Sequence, residues 1–228
     1  MASTPLPLLR ILLAEFLGTA FLLMAVVGSW VMGENLAPGQ GGLILLVNAL
    51  VTGFILMVLI TVLGPVSGAM FNPVVSLMLA LRGDLSWPMA FRSALVQVLG
   101  AIMGVALAHL MFGMELFSLS AKARTGPHLL LGEFVATFGL VVVVRGLCGR
   151  SWQEVGIMVG AYIAGAYWFT SSTSFANPAA AFARSLTSSG PGIHPMDVPA
   201  FILAECVGAG GALIISDRLW GARVLPKS

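Results

Sequence analysis

Six long apolar runs make up most of this chain, and they constrain its fold more than any other feature of the sequence. Each has about 20 residues or more, the length that a helix needs to cross the ~30 Å hydrocarbon core of a bilayer. The runs contain many glycines and small residues, as is typical of closely packed transmembrane helices, whereas a β-barrel would need alternating polar and apolar positions. The runs cover residues 8–32, 42–64, 88–112, 128–147, 154–172 and 198–217.

The composition of the chain excludes most soluble proteins. Hydrophobic residues make up 58% of the 228 residues and charged residues only 9%, whereas soluble domains carry about 25% charged residues. The net charge of +2 gives no indication of a nucleic-acid partner. Because no metal-ligand spacing, catalytic triad or phosphate-binding loop is recognisable, we expect neither a metal nor a cofactor and do not predict an enzyme.

Two shorter apolar stretches, at residues 72–81 and 177–186, follow the second and fifth runs. With about ten residues each and a rise of 1.5 Å per residue, they are too short to cross the bilayer. Both begin with Asn-Pro, and an Asn cap followed by Pro at the first helical position is a helix-start signal. We therefore predict two re-entrant half-helices.

The two halves of the chain, residues 8–112 and 128–219, resemble each other. Each contains a glutamate in its first run, then an Asn-Pro motif, and then Gln or Glu three residues before Gly. Because each half has three spans, the second half must enter the membrane in the opposite orientation, and such inverted repeats carry a solute path near the midplane. The matching residues are Glu15 and Glu133, Asn72-Pro73-Val74 and Asn177-Pro178-Ala179, and Gln97 and Glu205.

This pattern resembles the major intrinsic protein family, the aquaporins and aquaglyceroporins. The likeness covers nearly the whole chain and implies an all-α membrane fold of six transmembrane helices plus two re-entrant half-helices in an inverted repeat. It further implies a single channel domain over residues 1–228, passive transport of small neutral solutes, and a homotetramer in the lipid bilayer. It rests on Glu15, Ser67–Val74, Gln97, Glu133, Asn177–Ala179 and Gly208.

Basic residues predict the orientation of the chain. If both termini are cytoplasmic, eight of the 11 basic residues lie inside, including Arg223 and Lys227, and Lys122, Arg124 and Arg184 lie outside. Since cytoplasmic loops carry the excess of Lys and Arg, we expect both termini on the cytoplasmic side.

The two half-helices have a physical role in such a channel. The first N–H groups of a helix have no partner within the helix and carry partial positive charge. Two such ends that meet at mid-membrane repel protons and cations, while the two Asn amides hold a passing neutral molecule. The resemblance assigns this midplane role to Asn72, Pro73 and Val74 and to Asn177, Pro178 and Ala179.

Glu15 and Glu133 place carboxylates inside apolar runs, where a charge is costly and is usually paired or functional. The resemblance implies that both are scaffold residues, which accept hydrogen bonds from backbone N–H groups of the re-entrant segments. The alternative is a proton-coupled secondary transporter with Glu15, Glu133 or Glu205 as proton carriers. For Glu205, whose counterpart Gln97 is neutral, protonation, a bond to loop backbone and a pore-facing position all stay open.

The narrowest ring of such channels has four positions, and the resemblance places them at Thr52, Gly165, Ser174 and Ala180 by counting from the Asn-Pro motifs. The family pattern has Arg in place of Ala180, and water channels commonly have an aromatic residue and His in place of Thr52 and Gly165. All four residues are small and uncharged, which predicts a wide ring. Nearby aromatic residues could narrow it, although we expect most to face lipid: Tyr162, Tyr167, Trp168, Phe169 and Phe175.

Arg184 lies one helical turn beyond Ala180. Two interpretations stay open for it. Arg184 either replaces the missing ring arginine from a shifted position in the vestibule, or it contacts lipid headgroups or a loop carbonyl.

Residues 171–179 and Arg184–Thr187 resemble a narrower branch of the family, the bacterial channels encoded with arsenic-resistance genes. This resemblance implies that the permeant is arsenite, as uncharged As(OH)3, or a methylated arsenical, and that the protein lies in a bacterial inner membrane. Glycerol-like polyols, urea and water are further candidates, and a mainly water-selective channel is an alternative.

Overall fold

The computed structural model describes residues 7–221, and within this range the chain forms eight α-helices and no β-strand. Two helices are short, α3 (Pro73–Leu81) and α7 (Pro178–Ala183). The predicted all-α fold of six long helices and two half-helices is therefore confirmed. The long helices are α1 (Leu8–Leu36), α2 (Gly41–Ser67), α4 (Trp87–Met111), α5 (Pro127–Gly146), α6 (Trp152–Phe169) and α8 (Val198–Trp220).

Five stretches of the described residues are long and apolar enough to cross a membrane: α1, α2, α4, α5 and Pro195–Trp220, which contains α8. Helix α6 has only 18 residues, and polar Gln153 and Glu154 lie in its first turn. Helix α6 nevertheless packs along α2, where Gly53 and Gly160 let the two backbones approach closely. Its packing, rather than its apolarity, thus identifies α6 as the sixth long helix of the bundle.

The orientation of the bundle stays a prediction. Two of the basic residues on which it depends, Arg223 and Lys227, lie outside the described residues.

Each half-helix begins at its Asn-Pro motif. Asn72 Oδ1 accepts a hydrogen bond from the Val74 N–H at 3.0 Å, and Asn177 Oδ1 accepts one from the Ala179 N–H at 3.0 Å. The proline of each motif occupies the start of its helix, where its missing N–H has no partner to lose. Helix α7 is shorter than the predicted stretch because the chain tightens into a 3₁₀ turn at Arg184–Leu186.

Glycines at matching places bring the helices of the two repeats together. Helix α1 packs along α4, and α5 packs along α8. A Cβ atom on Gly208 of α8 would lie 2.5 Å from the Phe134 carbonyl oxygen of α5, and Gly100 of α4 meets the Phe16 carbonyl oxygen of α1 in the same way. Such close backbone contact, typical of membrane helices, leaves no room for a side chain.

A Gly208→Ala substitution is expected to destabilise the protein by about 1–3 kcal/mol, because the added methyl group meets backbone that cannot move aside. Gly210, one half-turn further along α8, is the matched control, because a Cβ atom there meets no atom within 4 Å. Gly210→Ala should be neutral or slightly stabilising, since Ala favours helix by up to about 1 kcal/mol. Thermal unfolding of the purified variants in detergent measures both effects, and equal melting temperatures for the two variants would contradict the packing argument.

Candidate pore and its constriction

A cavity of about 1050 Å³ extends through the helix bundle. Its lining runs from Arg184, directly after α7, to Arg150, two residues before α6. Leu, Ile and Val together form the largest group of residues in the wall, and most of them lie on the long helices. The two re-entrant segments, residues 68–72 and 174–177, contribute polar groups that include both Asn side chains.

The two Asn side chains link the half-helices reciprocally. Asn72 Nδ2 donates to the Ala176 carbonyl at 2.7 Å, and Asn177 Nδ2 donates to the Phe71 carbonyl at 2.9 Å. Each acceptor is the residue directly before the other asparagine, so the inverted repeat relates the two contacts. Because a primary amide has two N–H groups, each Asn keeps one N–H for a ligand in the cavity.

Glu15 and Glu133 hold the two re-entrant segments from behind. Glu15 accepts the N–H groups of the two residues before Asn72 at 3.1 and 2.7 Å. Glu133 accepts those of the two residues before Asn177 at 2.9 and 2.8 Å. Both carboxylates are fully buried and lie outside the cavity lining, so each stabilises a loop from the protein side.

Gln97 and Glu205, which each lie three residues before a glycine, have different hydrogen-bond partners in the two halves. Gln97 Nε2 donates to Glu15 Oε2 at 2.7 Å. Glu205 Oε1 instead accepts the Asn177 N–H at 3.0 Å, and its Oε2 has no hydrogen-bond partner among the described residues. Because Glu205 is fully buried and does not line the cavity, the bond to loop backbone is present and the pore-facing position is not.

Backbone strain is concentrated in the two re-entrant segments. In each, the residues one and three positions before Asn have φ of 47° or 48°, which is uncommon outside glycine and costs about 1–3 kcal/mol per residue. Met70 and Phe175 each lie between these two strained residues of their segment. Their carbonyl groups accept no hydrogen bond from residues 7–221, and both residues line the cavity. These matching residues are Ala69, Phe71, Ser174 and Ala176, and Thr173 is strained as well, with φ of 65°.

Three of the four predicted ring residues, Thr52, Ser174 and Ala180, line the cavity. Gly165 does not, because it is exposed on the outer side of α6. The prediction of Gly165, made by counting back from Asn177, is wrong because the helix does not continue to Asn177: α6 ends at Phe169 and the next residue is extended. Distance along the chain from the asparagine therefore does not determine which face of the helix a residue occupies.

Tyr167 lines the cavity where Gly165 was predicted to do so. Its side chain is buried, and its hydroxyl oxygen lies 3.3 Å from Thr52 Oγ1 on α2. The buried residues of α6 recur every three to four positions from Gly156 to Tyr167. This helical period, already present in the sequence, is the signal that identifies Tyr167.

The other aromatic residues near the predicted ring divide between the cavity and the outer surface. Phe175 is buried and lines the cavity. Trp168 and Phe169 are 51% and 59% exposed, as expected of side chains that face lipid. Tyr162 donates its hydroxyl to the Ala136 carbonyl of α5 at 2.9 Å. Of the five aromatic residues, only Tyr167 and Phe175 narrow the cavity.

Arg184 carries the positive charge at one end of the cavity. The residue is only 3% exposed, which argues against contact with lipid headgroups. Its Nε donates to the Pro191 carbonyl at 2.6 Å, and its guanidinium lies 3.3 Å from the centre of the Phe175 ring. From the sequence, a position in the vestibule and a bond to a loop carbonyl were alternative interpretations of Arg184. The structure shows both the bond and the position in the cavity lining.

Arg124, in the connection between α4 and α5, lies against the same aromatic ring. Its guanidinium is 4.8 Å from the centre of Phe175, and it donates to the Gly192 carbonyl at 2.8 Å and to the Ser172 carbonyl at 3.1 Å. Burial lowers the pKa of Arg124 to about 10, so the side chain is protonated at neutral pH. Phe175 therefore contacts two guanidinium groups, those of Arg124 and Arg184.

Long helices around a cavity, with two half-helices that meet inside it, form the architecture of a membrane channel. Residues 2–164 match the model of the major intrinsic protein family. The chain is 50% identical over 208 residues to aquaglyceroporin AqpS of Rhizobium meliloti (strain 1021). The aligned residues cover 91% of this chain and 89% of that protein. It is 35% identical over 159 residues to aquaporin NIP1-4 of Oryza sativa subsp. japonica, and the aligned residues cover 69% of this chain and 56% of that protein.

The chain belongs to the major intrinsic protein family.

The fold is also similar to a solved structure. The X-ray structure of the aquaglyceroporin from Plasmodium falciparum matches 93% of this chain and 97% of its own, with a TM-score of 0.75 and 19% sequence identity. As a member of this family, the chain is an integral membrane channel for small solutes and not an enzyme.

Proposed function

We propose that this channel passively conducts small uncharged solutes with hydroxyl groups: arsenite or methylated arsenicals, glycerol-like polyols and water. The observation that carries the proposal is the strip of polar groups that the two re-entrant segments add to a mainly apolar cavity. The strip offers the free carbonyl groups of Met70 and Phe175 and one amide N–H each from Asn72 and Asn177. A solute with adjacent hydroxyls exchanges its hydration for these groups, and such lining donors and acceptors set selectivity.

The two half-helices supply the exclusion of ions in this proposal. Asn72 and Asn177, which cap the first turns of α3 and α7, line the cavity. The positive ends of both helix dipoles therefore face the solute path, at the level that the proposal takes as the midplane. A neutral solute carries no net charge for this field to repel, whereas a proton or metal cation is repelled.

The constriction in this proposal includes Thr52, Ser174 and Ala180, all of which are small and line the cavity. Tyr167 takes the fourth position in place of Gly165. With Ala180 where the family pattern has arginine, the ring is wide enough for solutes larger than water, and a mainly water-selective channel is the alternative.

The proton-coupled transporter is supported less well than the channel. A proton carrier has to reach the solute path, but Glu15, Glu133 and Glu205 are fully buried outside the cavity lining. Each accepts at least one backbone N–H from a re-entrant segment. Through these hydrogen bonds, the three carboxyl groups stabilise the re-entrant segments.

The proposal also includes the assembly and location of the protein. It takes residues 1–228 as a single channel domain, whose repeat halves are residues 8–112 and 128–219. It assigns a homotetramer in a bacterial inner membrane, with both termini cytoplasmic. Fractionation of cells tests the location, native mass spectrometry of the purified protein tests the oligomeric state, and protease digestion of inside-out vesicles tests the position of the termini.

Stopped-flow light scattering on proteoliposomes tests the function with water, glycerol, urea and arsenite. The expected flux rises linearly with solute concentration and is unchanged by a protonophore, because no coupling ion is needed. Val75→Trp should reduce flux to that of protein-free liposomes, since Val75 lines the cavity on α3. Val135→Trp is the matched control, because Val135 is 40% exposed and lies outside the lining. Saturable, protonophore-sensitive uptake would support the transporter instead.

A further inference from the structure

Phe175 is an unusual feature of this cavity, because two cationic side chains lie against one ring. Arg184 lies 3.3 Å and Arg124 lies 4.8 Å from the ring centre. A guanidinium above an aromatic face is held by the negative potential of the ring. The edge of the ring is also fixed, since Phe175 packs against Phe201 with ring centres 5.2 Å apart and donates its N–H to Glu133 at 2.9 Å.

The contacts of Arg184 leave its donor groups directed to the cavity. Nε is used on the Pro191 carbonyl at 2.6 Å, whereas the two terminal nitrogens donate to no residue of the described chain. The residue is 97% buried within the protein, being 3% exposed, and lines the cavity. A buried cation whose donors are unpaired is costly unless a ligand or water binds there, so these nitrogens mark a solute-binding position.

Two hydroxyl groups belong to the same stretch of the lining. The hydroxyl oxygens of Tyr167 on α6 and Thr52 on α2 lie 3.3 Å apart. Arginine supplies only donors, whereas hydroxyl groups both donate and accept. The arginine donors and the hydroxyl groups can therefore together bind a solute whose neighbouring hydroxyls both accept and donate hydrogen bonds.

We propose that Arg184 and Tyr167 rebuild the constriction of this channel from shifted positions, with Phe175 as the positioning residue that holds the Arg184 guanidinium at the solute path. Arg184 thereby supplies the charge that the family pattern places at Ala180, and Tyr167 supplies the aromatic side chain that is missing at Thr52 and Gly165. This inference rests on the proposed function. Its consequence is selectivity for short polyhydroxy solutes over longer ones.

The test compares glycerol with the four-carbon polyol erythritol in proteoliposomes, together with proton leak. Arg184→Gln should lower the glycerol-to-erythritol permeability ratio about tenfold, the size expected for loss of one charge-assisted hydrogen bond, and should raise the proton leak. Arg92→Gln is the matched control. It removes a charge from an exposed position on α4 that lies outside the cavity lining, and it should leave both quantities unchanged.

Phe175→Leu should reproduce the Arg184→Gln phenotype, because the guanidinium loses the ring that holds it. The double variant should be no worse than either single variant, and Phe175→Tyr should restore the wild-type ratio. Additive effects of Phe175→Leu and Arg184→Gln would overturn the positioning role, since residues that act through each other are not additive.

Arg184→Lys keeps the charge and provides a second variant if Arg184→Gln does not fold. It should preserve proton exclusion and lose the polyol discrimination, because an ammonium lacks the planar fork of donors. Wild-type discrimination in a folded Arg184→Lys protein would overturn the inference. A wild-type protein that conducts no solute would instead overturn the proposed function, so the two failures are distinguishable.

Discussion

An Ala180→Arg variant is expected to lose most of its glycerol flux while it keeps more of its water flux. Ala180 is buried in the first turn of α7 and lines the cavity, so we expect a long cationic side chain there to enter the solute path. It would lie one turn from Arg184, and two guanidinium groups would share the constriction. An added barrier of about 1.4 kcal/mol for glycerol lowers its permeability tenfold.

The measurement is the glycerol-to-water permeability ratio at equal protein density in proteoliposomes. Ala180→Met adds length without charge and separates the steric part of the effect from the electrostatic part. Ala123→Arg is the control for added charge, because Ala123 is exposed in the connection between α4 and α5. An unchanged ratio in Ala180→Arg, or a wild-type protein that already excludes every solute larger than water, contradicts the wide ring.

A Glu15→Gln variant is expected to fold poorly rather than to change selectivity. Glu15 accepts hydrogen bonds from Ser67 Oγ at 2.6 Å and from Gln97 Nε2 at 2.7 Å, in addition to the two backbone N–H groups before Asn72. A glutamine amide turns one acceptor oxygen into a donor, so one buried backbone N–H loses its acceptor and Ser67 or Gln97 has to reverse the direction of its hydrogen bond. The unpaired backbone group alone costs about 1–3 kcal/mol, a large part of the total stability of about 5–15 kcal/mol that is typical of proteins.

The fraction of monodisperse protein on size-exclusion chromatography and the melting temperature in detergent measure this loss. Glu115→Gln is the matched control, since Glu115 is exposed in the connection after α4 and should tolerate the same change. Glu133→Gln should resemble Glu15→Gln, because the inverted repeat gives it the same pair of backbone donors. A well-folded Glu15→Gln protein that has lost proton-coupled uptake would favour the transporter.

The half-helices could be predicted from the sequence because their signals are local. An asparagine cap and a proline at the first helical position act within two residues, and both Asn side chains accept the predicted N–H groups. Glu15 and Glu133 could be predicted for a related reason, since a carboxylate inside an apolar run requires polar partners nearby.

The constriction could be predicted only in part. Thr52 lies in the middle of a long regular helix, and Ser174 and Ala180 lie within three residues of Asn177, so counting along the chain was adequate for them. Gly165 lies inside α6, four residues before the helix ends at Phe169 and the backbone becomes extended, so a count taken back from Asn177 across that break selected a residue on the outer face.

The sequence by itself determined the parts of this protein that depend on chain length, apolarity and local capping: the membrane helices, the two half-helices and the buried glutamates. The tertiary structure alone decided which side chains meet in the cavity. Tyr167 reaches Thr52 from a residue 115 positions away, and Arg124 meets Arg184 at Phe175 from a separate connection. Such contacts depend on where each helix ends and how the helices pack, because a shift of one or two residues turns a side chain from the solute path to the lipid.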